Sequence, residues 1–350
     1  MDWQKPFKSS YRFARVSRET GYELEEVLGI IDGKITVNQD TAIFESANLN
    51  TAEYIDLGSD WLRCYLDAEQ GGETESVCLG TWDATVPARN IDGYRETCTA
   101  YCDGLLGELR DDSFEAPVSI PEGSNIIQYA QSIAGDLPVN ATPSDSVLGS
   151  AWTFGLDGDD GGSKLQAMNS LLSLAGYSSA STDPMGNIVL KPYIDPASRN
   201  PVWTFEEGLN ATFLAQAQEE LDTRDVANVV LAIYESSGET TIGTTVDDDP
   251  NSPYSTVSMR RRKVAKYKYN STATQAEADS KAAELLRTNQ SVIHRVTLKH
   301  IHCPARVGDV VRVKWPSAGI DASFTIRTQE IEVGSAGCLT TSELRRFVRG

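Results

Sequence analysis

From Ser291 onward, four successive stretches alternate apolar and polar side chains: SVIHRVTLKHIH (291–302), VGDVVRVKW (307–315), SFTIRTQEIEV (323–333) and CLTTSELRRF (338–347). Neighbouring side chains of a strand point to opposite faces, so this pattern requires a sheet with one buried face. It predicts that a β-barrel or sandwich closes the chain. The first hundred residues repeat the pattern in shorter runs, GYELEEVLG, DGKITVNQ, TAIFESANL and WLRCYLDA. Asp32–Gly33 and Gly71–Gly72 between them read as tight turns, which predicts a second compact β-domain.

The middle of the chain changes period. Tyr94, Cys98, Tyr101, Cys102, Leu105 and Leu109 recur at steps of three and four, predicting one helix packed on the first sheet. Ser124 stands as N-cap before a stripe of Ile126, Ile127, Ala130, Ile133 and Ala134 that stops near Gly135. Ser163 repeats the design before Leu165, Met168, Leu171, Leu172 and Ala175, with Gly176 as the stop. STDPMGNIVLKPY then predicts a hairpin and DPASRNP (195–201) an exit linker. Further on, VANVVLAIYE reads as a strand and GTTVDDDPNSPYS as an exposed loop. STATQAEADSKAAELLRTN reads as a helix with Thr272 and Gln275 spaced as a capping box. The expected fold is α+β and mainly β. A β-domain with one packing helix covers 1–110, an α/β domain covers 111–205, and a second β-domain over 206–350 carries an inserted helical segment near 271–289.

With 350 residues, 40% of them hydrophobic, the chain can bury cores for two or three domains. The start, MDWQKPFKSS, has no apolar run after its charges, and the longest aliphatic run is Val229–Ile233. A bilayer span needs roughly 20 apolar residues, so neither an export signal nor a membrane anchor is expected. The net charge of -19 is unevenly spread. Residues 1–253 hold 14 Lys and Arg against 42 Asp and Glu, a charge of -28, while residues 254–350 hold 17 against 8, a charge of +9. Such polarity suits either nucleic acid or head-to-tail contact between copies.

The segment MRRRKVAKYK (259–268) concentrates this basic charge in Arg260, Arg261, Arg262, Lys263, Lys266 and Lys268. As a nucleic-acid module it would join phosphate contacts to the aromatic platforms Tyr267 and Tyr269. In a strand, however, the two tyrosines share one face and the lysines the other, the mark of a half-buried strand with a solvated basic face. The acidic body would also repel a polyanion. The segment is therefore read as a contact surface for another subunit or partner protein.

Other chemistry is sparse. His294, His300 and His302 share a strand face, and alternation turns the adjacent Cys303 away, which breaks a simple metal-ligand set. Half-exposed strand histidines are expected, and no metal or cofactor. Cys98 and Cys102, one helical turn apart, read as buried helix-face thiols, and six cysteines fit reduced core thiols better than a disulfide framework. DGDDGG (157–162) starts like a calcium loop but has Met168 where the closing carboxylate belongs, so it reads as a turn before a helix. DDDP (247–250) reads as a solvated, mobile loop. The chain lacks G-x-S-x-G, a Walker loop, a dinucleotide fingerprint and H-E-x-x-H. No enzymatic activity is expected; a carboxylate-based or His300/His302-based hydrolase is the alternative.

The order of segments resembles a known family. LGTW (79–82), AYCDGLLGEL, GSNIIQYAQSIA, KLQAMNSLLSLAGYSSASTDPMGNIVLKPY, VANVVLAIYE, QAEADSKAAELL and PARVGDVVRVKW, with Gly308 and Asp309, are similar to the tail hub proteins of tailed bacteriophages and related contractile injection systems. The resemblance implies a structural protein of the virion tail, assembled in the host bacterial cytoplasm. It implies two β-barrels per subunit, and a homotrimer whose barrels form a pseudo-sixfold ring with the α/β domain outside it. Its partners would be an adjacent tail-tube or distal tail protein, the tape-measure protein, and tip or fibre proteins. DNA would only pass through the lumen, and no membrane would be bound. Because the chain ends soon after the second β-domain, receptor-binding or peptidoglycan-cleaving extensions are not expected. The alternatives are a tail-associated cell-wall hydrolase and a nucleic-acid binding module using Arg260–Lys268.

Overall fold

A computed structural model describes all residues except 87–88, 94, 156–161, 223–225, 237–238, 270–272, 290, 335–336 and 350. The chain is mainly β, with 49% strand against 15% helix. It divides into one unit of Met1–Gln216 with Leu298–Glu343, and another of Ala217–Thr297 with Leu344–Gly350.

The first unit is organised by a large sheet. Ile320–Val333, Ile30–Asn38, Glu45–Thr51, Arg95–Gly104, Glu73–Thr85, Trp61–Gln70, Lys8–Val16 and Glu23–Glu26 follow one another in that order, antiparallel throughout. The alternation seen in the sequence becomes burial of one face. Leu49, Leu62, Leu66, Trp82, Ile35 and Ile331 meet in a shared core. Gly71 and Gly72, both at positive φ, close the hairpin between Trp61–Gln70 and Glu73–Thr85, as expected. Asp32–Gly33 does not form a turn. It lies inside Ile30–Asn38 beside a register shift, and a Cβ on Gly33 would meet the Asn48 carbonyl oxygen at 2.3 Å. Its glycine serves a close strand approach instead.

The expected helix over 94–109 is largely a strand. Arg95–Gly104 pairs with both Glu45–Thr51 and Glu73–Thr85, and helix is confined to Leu106–Asp111. Tyr94 lies outside the described residues. Cys98, Ala100 and Cys102 are buried at period two while Tyr101 is exposed. The sequence supports both periods because Cys98 and Cys102 share a face at a spacing of four in strand and helix alike. Two flanking strands in need of a partner decide it. The two thiols are buried as anticipated, on a strand rather than a helix.

The α/β segment folds round its own core of Leu106, Ile120, Ile127, Met168, Leu171 and Leu190. The helix Ile126–Ile133 is capped by Asn125, one residue after the expected Ser124, with its side chain accepting from Gln128 N at 2.9 Å. Ser163 caps Lys164–Leu174 as expected, accepting from Gln166 N at 3.2 Å. Ser181–Thr182 and Ile188–Leu190 form the expected hairpin, and Val139–Ala141 adds in parallel to the second of these strands.

The tip of that hairpin is clasped by the large sheet. Thr81 Oγ1 and Cys78 Sγ donate to the Pro184 carbonyl at 2.8 and 3.1 Å. The buried Arg63 donates to the Met185 carbonyl at 2.9 Å and to Thr81 Oγ1 at 2.8 Å. Thr182 Oγ1 donates to the buried Glu45 carboxyl at 2.8 Å. Burial first, and Asp183 second, push the Glu45 carboxyl up to about 8, against lowering by Thr182 and Arg306.

In the second unit, Glu239–Val246, Val229–Ser236 and Val264–Tyr269 form a three-stranded sheet in that order. The helix Gln275–Asn289 lies against Glu239–Val246 and Val229–Ser236 at backbone distance. A Cβ on Gly243 would fall 2.0 Å from the Ala278 carbonyl oxygen, and Ala278 and Ala282 are both fully buried. The helix start is fixed by a reciprocal capping box two residues further on than the Thr272–Gln275 reading. Thr274 N donates to the Glu277 carboxylate at 2.8 Å and Glu277 N to Thr274 Oγ1 at 3.3 Å. Thr272 lies outside the described residues, and Gln275 Nε2 instead donates to the Ile242 carbonyl at 2.9 Å. Among the described residues, no helix is long and apolar enough to cross a membrane.

Candidate interaction surface

The basic segment is a helical turn leading into an edge strand. Ser255 caps the short helix Thr256–Met259, which ends where Arg260 enters the left-handed region at φ 49. The chain then turns through Arg261–Lys263 into Val264–Tyr269, parallel to Val229–Ser236. Ala265, Tyr267 and Tyr269 are half-buried. Ala265 and Tyr267 pack against Ala227, Val230 and Leu286, and Tyr269 stacks on Tyr234 with ring centroids 4.8 Å apart. Lys266 and Lys268 alternate with them and are exposed, as the period predicted.

One buried side chain holds the turn. Asn228, fully buried, donates from Nδ2 to the carbonyls of Arg261 (2.9 Å) and Tyr254 (3.2 Å), and its Oδ1 accepts from Lys263 N at 2.7 Å. Asparagine alone supplies two donors and an acceptor in this shape. Asn228→Ala is expected to cost roughly 1–3 kcal/mol, because it strands buried backbone groups. Urea unfolding should show the loss, and trypsin should cut faster at Arg260–Lys263 in the native protein. Nothing in the residues around position 228 signalled this role, since its partners lie 26 to 35 positions away.

The adjoining acidic loop carries local turn bonds and is only partly solvated. Asp247, buried against expectation, accepts from Asp249 N at 3.1 Å and Ser252 Oγ at 2.6 Å, while Asp248 and Asp249 face solvent. Local turn bonds hold the loop, so its like charges need not pack together. Residues 157–161 of the DGDDGG stretch lie outside the described residues.

The charge state of the basic segment sets it apart. Among the described residues, Lys268 pairs with Glu235 at 3.7 Å, but Arg260, Arg261, Arg262, Lys263 and Lys266 meet no carboxylate. Many cations elsewhere are matched, among them Lys299 with Glu332, Arg312 with Asp321, Lys314 with Glu206 and Arg15 with Asp60. The cluster is thus a solvated anion-seeking surface on a rigid support.

The histidines are buried rather than half-exposed, and the strand Ser291–Ile301 ends before His302. His294 bonds Glu219 at 2.7 Å through Nε2 and accepts from Arg346 at Nδ1. His300 Nε2 meets Ser342 Oγ at 2.8 Å and its ring lies 4.8 Å from that of Phe205. His302 packs edge-on to Trp3, and its Nε2 has no hydrogen-bond partner among the described residues. Burial holds His300 down at about 4 and His302 at about 3. Cys303 is not turned away: its Sγ lies 4.0 Å from His300 Nδ1, because strand alternation has already ended. Burial pushes that thiol up to about 12. Among the described residues, no group of three or more His, Cys, Asp or Glu is arranged to hold a metal ion.

No protein-family profile and no curated protein matches this chain. Solved structures do. The tail protein from Neisseria meningitidis MC58 is 17% identical with a TM-score of 0.65, covering 96% of this chain and 97% of that one. The fold is that of phage tail proteins. The 43 kDa tail protein of prophage MuSo2 from Shewanella oneidensis is 14% identical, with a TM-score of 0.64 and coverage of 97% and 98%. A chain of the half-lidded Francisella PdpA–VgrG complex is 7% identical with a TM-score of 0.59, covering 97% of this chain but only 58% of its own length.

Proposed function

We propose that the chain is a structural hub protein of a phage tail tip or baseplate. The observation that carries this reading is end-to-end correspondence with two tail proteins, 96% or more of each chain, at a TM-score near 0.65. In this reading residues 1–110 and 206–350 form two β-barrel domains and residues 111–205 a peripheral α/β domain. Three copies close a ring with six barrels, which continues the sixfold tail tube and adapts it to a threefold tip. The partners are the adjacent tube or distal tail protein, the tape-measure protein, and tip or fibre proteins. The VgrG likeness supports a spike-bearing neighbour on the same ring.

The ring encloses an acidic channel. DNA slides through a wall that does not bind phosphate, because each Lys or Arg contact that releases counterions adds affinity and drag. A chain of net charge -19 supplies such a wall, with Arg260–Lys263, Lys266 and Lys268 turned to other subunits instead of the lumen. The role is non-enzymatic, and the protein resides in the virion tail after assembly in the host cytoplasm.

Negative-stain class averages and mass photometry test this together. Threefold rings of three chain masses are expected at micromolar concentration. A particle that stays one chain in mass, alone and with its tube neighbour, would refute the ring. A salt-sensitive gel shift with duplex DNA that disappears on changing Arg260, Arg261 and Arg262 to Ser would favour the nucleic-acid module.

A further inference from the structure

Among the described residues, two sheets end on strands of opposite charge, and each of these strands has one open edge. Glu23–Glu26 closes one end of the large sheet, bonded on a single side to Lys8–Val16. All four of its residues are exposed. A register shift between Arg15 and Val16 turns Glu23 toward Arg12 and Arg63 on one face and Glu25 toward Arg15 on the other. Tyr22, Leu24 and Leu28, in and beside this strand, are 76%, 58% and 68% exposed. Glu26 lies among them and has no partner among the described residues.

Val264–Tyr269 is the matching case. It closes the three-stranded sheet, bonded on a single side to Val229–Ser236. Its outward face carries Val264, Lys266 and Lys268, and Lys266 has no partner among the described residues.

An open edge flanked by exposed apolar side chains is a template for another strand. Neither edge can add to its own kind, since like charges set directly opposite each other repel. Each accepts the other. We infer that the open edge of Val264–Tyr269 in one copy adds to the open edge of Glu23–Glu26 in a second copy, with Lys266 opposite Glu26. This rests on reading the chain as a self-assembling ring subunit.

The register has an internal check. With Lys266 set against Glu26 and the strands running parallel, Leu24 falls opposite Val264. The charged pair and the apolar pair are satisfied together. Because the two edges differ, the contact is head-to-tail, and repetition closes a ring when the rotation per subunit allows it.

The test mixes Glu26→Cys copies with Lys266→Cys copies under mild oxidation. Directly opposed strand residues have Cα atoms about 4.5–5.5 Å apart, within disulfide reach. A cross-linked dimer on a non-reducing gel is expected from the mixture and not from either variant alone. Of the native cysteines only Cys78 is not fully buried, and the unsubstituted protein controls for it. In sedimentation velocity, Glu26→Lys and Lys266→Glu should each weaken self-association roughly threefold to tenfold, and the double reversal should restore it. No mixed cross-link in a sample that sediments as an assembly overturns this contact and leaves the ring reading standing. A sample that does not assemble at all overturns both.

Discussion

The stability of this protein should peak near pH 6.5 and fall on both sides, and Glu45→Gln should remove the alkaline fall. The sign follows from which state holds the proton. Glu45 titrates at about 8 in the folded chain against 4.5 ordinarily, so between those values the native state keeps a proton that the unfolded state releases. Its contribution is complete below about pH 4.5 and is lost as pH rises toward 8, at up to about 1.4 kcal/mol per pH unit. His300 and His302 act in the opposite direction. They are held at about 4 and about 3 against 6.5, so the unfolded state gains protons first as pH falls, and stability drops through pH 6.5 and below. Above about pH 7.5, where unfolded histidines hold almost no protons, Glu45 alone of these three acts. Urea unfolding at half-unit intervals would show it, and an unchanged alkaline limb in Glu45→Gln would contradict the account. Loss of the proton also places a carboxylate beside Asp183, under the clasped hairpin tip. The unfolding midpoint of the α/β segment, followed by hydrogen exchange at Met168 and Leu171, should drop first.

Gly243→Ala is expected to destabilise the second unit at the upper end of about 1–3 kcal/mol, and Gly243→Val by more. The added Cβ would meet the Ala278 carbonyl carbon at 2.1 Å and its oxygen at 2.0 Å. These are backbone atoms of a helix, which cannot rotate away as a side chain can. Helix and strand would have to separate, giving up the bonds from Gln275 Nε2 to the Ile242 carbonyl and from Thr244 N to Asp279. Thermal unfolding by circular dichroism would measure the effect. A melting temperature equal to the parent's would mean the helix packs elsewhere in solution.

Legibility followed the length of the periodic pattern. Ile320–Val333 and Val264–Tyr269 were readable because one face of each is covered and the other solvated, so burial copies the sequence alternation. Lys164–Leu174 was readable because a cap, an apolar stripe and a glycine stop agree on its limits. Arg95–Gly104 was misread because the spacing of Cys98, Cys102 and Leu105 satisfies two geometries, and only its neighbours in the sheet choose between them. Histidine burial was missed for a similar reason. His300 and His302 are covered by Phe205 and Trp3, residues 95 and almost 300 positions away, and nothing in the local pattern records them. The basic segment was visible as composition. That five of its cations go unmatched, and that Asn228 fixes its backbone, needed three-dimensional neighbours.

One pairing in the large sheet bears on how the molecule is made. Thr328–Val333 lies against Gly33–Asn38, so a strand that leaves the ribosome among the first must wait for one among the last. Until then the early strand keeps an unfilled side, while the α/β segment already has a core of its own to close. Completion is therefore post-translational and slow by topology. Chains cut short before residue 328 would carry a sticky N-terminal half, prone to precipitate or to engage holding chaperones.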